Sequence, residues 1–265
     1  MGRLREEDFA VLRGPLESGR QSPGSLGFAL ILGIFIQALM FALLYFMVKD
    51  VTTFPNKEEI MNFYFWLTAV LIGLCVLYSI PYVYNRSGRI QYLISIIVTQ
   101  NMSSIPFLLV SLFLIGMENG GINTNKDSLL QITYIILAIG ILIFIVTFIR
   151  FYILLKKGHY RKGSKKDEQR SKLESMSFLP GAIVGGIGLV FVIQYISKNS
   201  NYDDSNTIAI IIGGILAFFV MMFILPEQLV ILYCKYKYKS FNFNERGYLY
   251  SSEDQKVKRK RGIEA

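Results

Sequence analysis

Only two cysteines, Cys75 and Cys234, and one histidine, His159, occur in this chain, which is too few ligands for a His/Cys zinc site. Both cysteines fall inside apolar runs, so no disulfide framework is expected. Acids are equally scarce where they would matter: Glu227 is the one carboxylate inside any long apolar run, and no aspartate lies in one to serve an intramembrane protease. There is no His-Glu-x-x-His and no Gly-x-Ser-x-Gly, and no nucleophile stands near a histidine. The stretch Gly158-His159-Tyr160-Arg161-Lys162-Gly163-Ser164-Lys165 comes near the spacing of a phosphate-binding loop, but its Ser and Lys are reversed and no strand precedes it. These absences argue against an enzyme, and no metal or cofactor is expected.

Apolar residues are what the chain does have. At 52% hydrophobic, 14% aromatic and only 18% charged, 265 residues cannot hide their apolar side chains in one water-facing core and must be solvated by lipid. About 20 apolar residues at 1.5 Å each cross a hydrocarbon layer of roughly 30 Å. By that criterion the expected fold is an all-α integral membrane protein with six transmembrane helices: 26–48, 62–84, 90–116, 129–155, 179–197 and 207–234. The first run follows a long polar arm and lacks a small-residue cleavage site, so it is expected to be retained as a span.

Charge sets the orientation, because Lys and Arg collect on the cytoplasmic side. The net charge of +9 is concentrated in the loop 156–178 and at the end of the tail, whereas the alternate loops are acidic or near neutral. Both termini are therefore expected in the cytoplasm. The chain divides into an N-terminal arm (1–25), a membrane bundle (26–235) containing the basic loop 156–178, and a basic tail (236–265). The arm balances four arginines against four acids, and its Pro15, Pro23 and Gly24 preclude a long helix. Lys156, Lys157, Arg161 and Lys162 in the loop, with Lys258, Arg259, Lys260 and Arg261 in the tail, are expected to meet anionic headgroups of the inner leaflet. The alternation Lys235-Tyr236-Lys237-Tyr238-Lys239 abuts a span, where Tyr and Lys act as interfacial anchors, and nucleic acid is not an expected partner.

Three groups inside the membrane stand out. The third span carries Thr99-Gln100-Asn101-Met102-Ser103-Ser104-Ile105-Pro106, starting about ten residues in and so near the midplane, where Gln37 of the first span also lies. Gln37, Gln100, Asn101, Ser103 and Ser104 could line a polar path or bond the helices to one another. Pro106 removes one backbone bond and leaves the Met102 carbonyl for Ser103 or Ser104. In the last two spans, Gly181-x-x-x-Gly185 and Gly213-x-x-x-Ala217 place small residues on one helix face, the pattern of close helix packing. Finally, Glu227 is the twenty-first residue from Thr207, and Arg150 is the twenty-second from Leu129 on a helix of the same direction. At 1.5 Å per residue both lie about 30 Å down, near the inner interface, as a candidate ion pair.

The short loops leave no room for a folded ectodomain, so function is expected in the membrane or at its inner surface. The leading expectation is a plasma-membrane protein that acts by helix contact, either protecting a cell from a membrane-active toxin or serving as an accessory subunit of a secretion system. Its partners would be the bilayer and another membrane protein or a toxin. The alternative is a permease or transporter subunit with its path in the first and third helices. Usage rich in Ile, Lys, Asn, Tyr and Phe points to a low-GC Gram-positive bacterium.

Overall fold

A backbone surrounded by hydrocarbon must satisfy its N–H and C=O groups within its own segment, and long apolar runs therefore coil. The computed structural model describes residues 4–50, 52–117, 125–165, 167–168, 204–244 and 247–251. Among these residues the regular structure is helical, with two isolated β-bridges and no strands. Five stretches are long and apolar enough to cross a membrane: Pro23–Val48, Lys57–Ser79, Gly88–Ile115, Lys126–Lys156 and Thr207–Lys237. The expected fifth span, 179–197, with Gly181 and Gly185, lies outside the described residues, as do Lys258, Arg259, Lys260 and Arg261.

The helices are α1 (Gly14–Glu17), α2 (Pro23–Leu43), α3 (Lys57–Ser79), α4 (Pro81–Arg86), α5 (Gly88–Ser103), α6 (Ile105–Ile115), α7 (Lys126–Lys156) and α8 (Asp204–Lys237). Ser22 caps α2 by accepting a bond from the Ser25 N–H, with Pro23 as the first helical residue. A π-helical turn, Leu44–Val48, extends α2. Two expected spans are broken by proline. The second ends at Ile80, whose extended backbone precedes Pro81 and starts the short α4. The third divides at Ser104, two residues before Pro106, into α5 and α6.

The outer helices bury one stripe and expose apolar side chains on the rest, whereas α5 and α6 are buried on more than one face. In α3 the buried residues are Met61, Tyr64, Thr68, Leu71 and Cys75, alternating steps of three and four that trace one face. Phe63 and Trp66 on the other side are 71% and 62% exposed, an apolar outer face of the kind acyl chains solvate. The α5–α6 pair is the hub. α2 packs on α3 and α5, while α8 packs on α5, α6 and α7.

One end of the bundle holds both ends of the described chain. Phe9, Leu12 and Leu16 of the N-terminal arm form a core with Tyr92, Phe151, Tyr160, Ile231, Cys234 and Phe241. The arm runs as a 3-10 helix, Glu6–Arg13, before α1. The Tyr238 hydroxyl reaches the Leu4 carbonyl at 3.4 Å, the Ser240 hydroxyl donates to Glu6, and the Val11 N–H donates to the Tyr160 carbonyl at 2.9 Å. At the opposite end Thr53 bonds the Gly116 carbonyl through both its N–H and its hydroxyl, each at 2.7 Å, closing the loop before α3 onto the end of α6.

Candidate functional site

Helix spacing brings the polar residues of three helices to one point. Gly27, Leu30, Gly33 and Gln37 share the buried stripe of α2, and Gln91, Ile94, Val98 and Asn101 share that of α5. Gly33 allows the approach: a Cβ there would lie 3.2 Å from Val98 and 3.3 Å from the Met102 sulfur. At the crossing, Asn101 Nδ2 donates to Gln37 Oε1 at 2.8 Å and reaches Thr68 Oγ1 of α3 at 3.4 Å. Gln37 Nε2 donates to the Gly33 carbonyl at 3.0 Å, with Cys75 Sγ at 3.6 Å. Gln37 and Asn101 have no exposed surface, and Thr68 has 3%.

All four side chains are uncharged, so the cluster carries no counter-charge for an ion and no ready proton acceptor. Its chemistry is hydrogen bonding between helices. Some capacity is left over. Asn101 Oδ1, both amide atoms of Gln100 and the Ser104 hydroxyl are buried without a partner among the described residues. Ser104 therefore does not satisfy the Met102 carbonyl, and Ser103 is half-buried on the next position.

A second amide was not singled out from sequence. Gln91 is fully buried, and its Nε2 donates to the carbonyls of Pro23 at 2.9 Å and Tyr78 at 3.1 Å, joining the start of α2 and the end of α3 to α5. Its signal was the spacing to Asn101, ten residues or nearly three turns along one face.

The expected partner of the Gly213-x-x-x-Ala217 face, the fifth span, lies outside the described residues, and the close contact the structure describes on α8 is made by the next residue. Gly213 is exposed and a Cβ there would meet nothing within 4 Å among the described residues, and Ala217 is half-buried. Its neighbour Gly214 is the buried one. A Cβ on Gly214 would lie 2.6 Å from the Phe107 carbonyl oxygen and closer still to the Ser111 hydroxyl. That hydroxyl donates to the Ile211 carbonyl at 3.0 Å, so α6 and α8 meet backbone to backbone across a hydrogen bond. One turn further along α8, Phe218 fills the space left by Gly140 of α7, where a Cβ would be 2.5 Å from the ring.

Arg150 and Glu227 are not brought together. Arg150 is exposed on α7 beside the buried Phe151, Glu227 is half-buried next to the buried Pro226, and no ion pair joins them. Glu227 lies instead within electrostatic reach of Tyr92. Equal depth placed the two residues at one level, but the rotation of α7 turns Arg150 outward.

Among the basic residues of the loop, Arg161 holds Asp8 of the arm, with Nη2 at 2.7 Å and Nε at 2.8 Å from Oδ1. Burial works against the Asp8 charge, but the Arg5 backbone N–H at 2.8 Å and the Arg161 guanidinium overcome it and hold the carboxyl below its usual value. Lys156 lies over the Tyr152 ring at 4.7 Å, and Lys157 and Lys162 are exposed. No group of three or more His, Cys, Asp or Glu side chains fit to hold a metal occurs among the described residues. No protein-family model, curated protein or solved structure matches this chain, and its own residues carry the functional reading.

Proposed function

We propose that this is a multi-pass plasma-membrane protein, cytoplasmic at both termini, that acts by helix contact with another membrane component. It would serve as a protection protein against a membrane-active toxin or as an accessory subunit of a secretion system, and it would catalyse no reaction. The observation that carries this reading is the use of the mid-bundle polar groups: Gln37, Thr68 and Asn101 are buried and hydrogen-bonded to one another across three helices. A sealed cluster of uncharged groups fits a scaffold better than a conduit. The lipid-facing sides of α2 and α3, with Phe35 69% and Trp66 62% exposed, offer large apolar side chains to a partner. Because α7 ends beside the N-terminal arm and the start of α8 packs near the far end of α6, a sixth crossing between them belongs to the proposal.

Two measurements test it together. Expression should raise the survival of sensitive cells challenged with a membrane-active peptide encoded beside the gene, and photo-crosslinkers at Phe35 and Trp66 should capture a membrane protein or the peptide. Unchanged survival with no captured protein counts against the reading.

One observation favours a second reading, that of a permease subunit. The unpartnered atoms of Gln100, Asn101 and Ser104 cluster beside the break at Pro106, where a polar solute could bind them. In that case Gln100→Leu with Asn101→Leu abolishes flux in a folded protein, and persistent flux rules the path out.

A further inference from the structure

At the end of the bundle that holds the arm and tail, an open cleft of about 680 Å³ lies between the α4–α5 turn and the last turn of α8. Its walls include Arg86, Arg89, Lys235, Lys237 and Lys239 and, among the described residues, not one carboxylate. Surface lysines near a membrane need no special explanation, but Lys235 is not on the surface. It is 3% exposed, and its ammonium faces the rings of Tyr92 at 5.0 Å and Phe243 at 5.4 Å, with no acid or hydrogen-bond acceptor paired to it among the described residues. Aromatic faces offset part of the loss of water around a cation, yet a buried ammonium without a counter-charge is costly. The α5 N-terminus opens on the same cleft. Ser87, its cap residue, turns its hydroxyl back to the Val83 carbonyl at 2.6 Å and leaves the helix end without a side-chain cap. A Cβ on Gly88 would meet nothing within 4 Å, so the backbone there is open to an incoming group.

We propose that this cleft binds a phosphate ester, with Lys235 as its buried counter-charge and Arg89 and the α5 N-terminus as its outer contacts. Phosphate suits the site on three counts. It carries the missing negative charge, its several oxygens can accept from an ammonium, a guanidinium and backbone N–H groups at once, and a helix N-terminus favours it. The volume exceeds that of a bare phosphate and leaves room for a polar substituent. The source is either a phospholipid headgroup or a soluble phosphate, and the site stands whichever functional reading holds.

The test uses the full chain in detergent, followed by native mass spectrometry with phosphatidylglycerol and phosphatidylcholine, and by thermal shift with inorganic phosphate and glycerol phosphate. The expected result is selective retention of phosphatidylglycerol, or stabilisation by the soluble phosphates, weakened about tenfold or more by Lys235→Met. In the absence of ligand, Lys235→Met melts no lower than the parent, since it replaces an unpaired buried charge with an apolar chain of similar length. Retention of the lipid alone assigns a headgroup, and response to the soluble phosphates assigns a free phosphate. Arg89 is exposed and outside the core, so Arg89→Gln keeps the test valid should Lys235→Met fail to fold. Binding of neither ligand class by the parent overturns the proposal. So does undiminished binding in Arg89→Gln, or an equal loss in Lys162→Gln, which removes a cation from the basic loop.

Discussion

The two halves of the bundle are held together by different means. Where α2, α3 and α5 meet, uncharged side chains reach across: Gln37 to Asn101, Asn101 to Thr68, and Gln91 to two carbonyls. Where α6, α7 and α8 meet, side chains are removed instead, with Gly214 against Phe107 and Ser111 and Gly140 under Phe218. Lipid gives apolar helices little reason to prefer one another over acyl chains, so association rests on hydrogen bonds or on close approach. In this protein side-chain hydrogen bonds predominate in the first half and glycine contacts in the second, although Gly33 allows the crossing of α2 and α5 and Ser111 bonds α8 from α6. Loss of a polar partner should therefore matter most in the first half, and added volume at Gly214 or Gly140 most in the second.

Substitution at Gly214 should separate the halves most sharply. Gly214→Ala drives a methyl group into the backbone of α6, a clash that flexible side chains cannot relieve, and should cost about 2–3 kcal/mol in unfolding from detergent micelles. Gly213→Ala, whose added methyl meets nothing within 4 Å among the described residues, should cost less than Gly214→Ala. A smaller loss at Gly214 than at Gly213 would mean that α8 is rotated from the orientation described. In the other half, Gln37→Leu removes the 2.8 Å bond and leaves Asn101 Nδ2 only the longer contact to Thr68, and should cost about 1 kcal/mol. The double variant Gln37→Leu with Asn101→Leu should lose less than the sum of the two single losses, and strict additivity in the cycle would show the bond to be energetically idle.

The smallest expected effect lies outside both halves, in the cap formed by the arm. Asp8 titrates below the ordinary carboxylate value of 3.8. Its contribution is therefore complete above that value and is lost as pH falls through the lowered one. Amide exchange across residues 5–16 should quicken in that acid range while α2 and α5 stay protected, and Asp8→Asn should bring the same quickening to neutral pH. Insensitivity of the arm to Asp8→Asn would make the Arg161 contact incidental.

These contrasts also mark what the amino-acid order reveals. Counting residues gives depth, and depth alone set Gln37 level with Asn101, which the structure joins. Depth also set Arg150 level with Glu227, which it does not join, because rotation about the helix axis is independent of level. The Gly213–Gly214 pair shows the same ambiguity. Gly213-x-x-x-Ala217 and Gly214-x-x-x-Phe218 both begin a four-residue step, and only the neighbouring helix selects between them. The five long apolar helices were legible because unbroken apolar runs of about 20 residues or more coil along their whole length. The breaks at Ile80 and Ser104 lie next to visible prolines, but whether a proline bends a helix or divides it depends on what packs around it. The arm reads as a polar segment, and its burial follows from Phe9, Leu12 and Leu16 meeting Phe241 and Cys234, more than 200 residues away in sequence.

That distance has a consequence in time. Phe9 is synthesised early and Phe241 late, so at 5–20 residues per second the arm waits about 10–50 s for the partner that covers it. Until α8 is inserted, Phe9, Leu12 and Leu16 lack part of their core, and the cap can close only as a final step of assembly. Its closure therefore depends on α5, α7 and α8 all being in place, and a chain stalled before α8 would leave those three side chains partly uncovered.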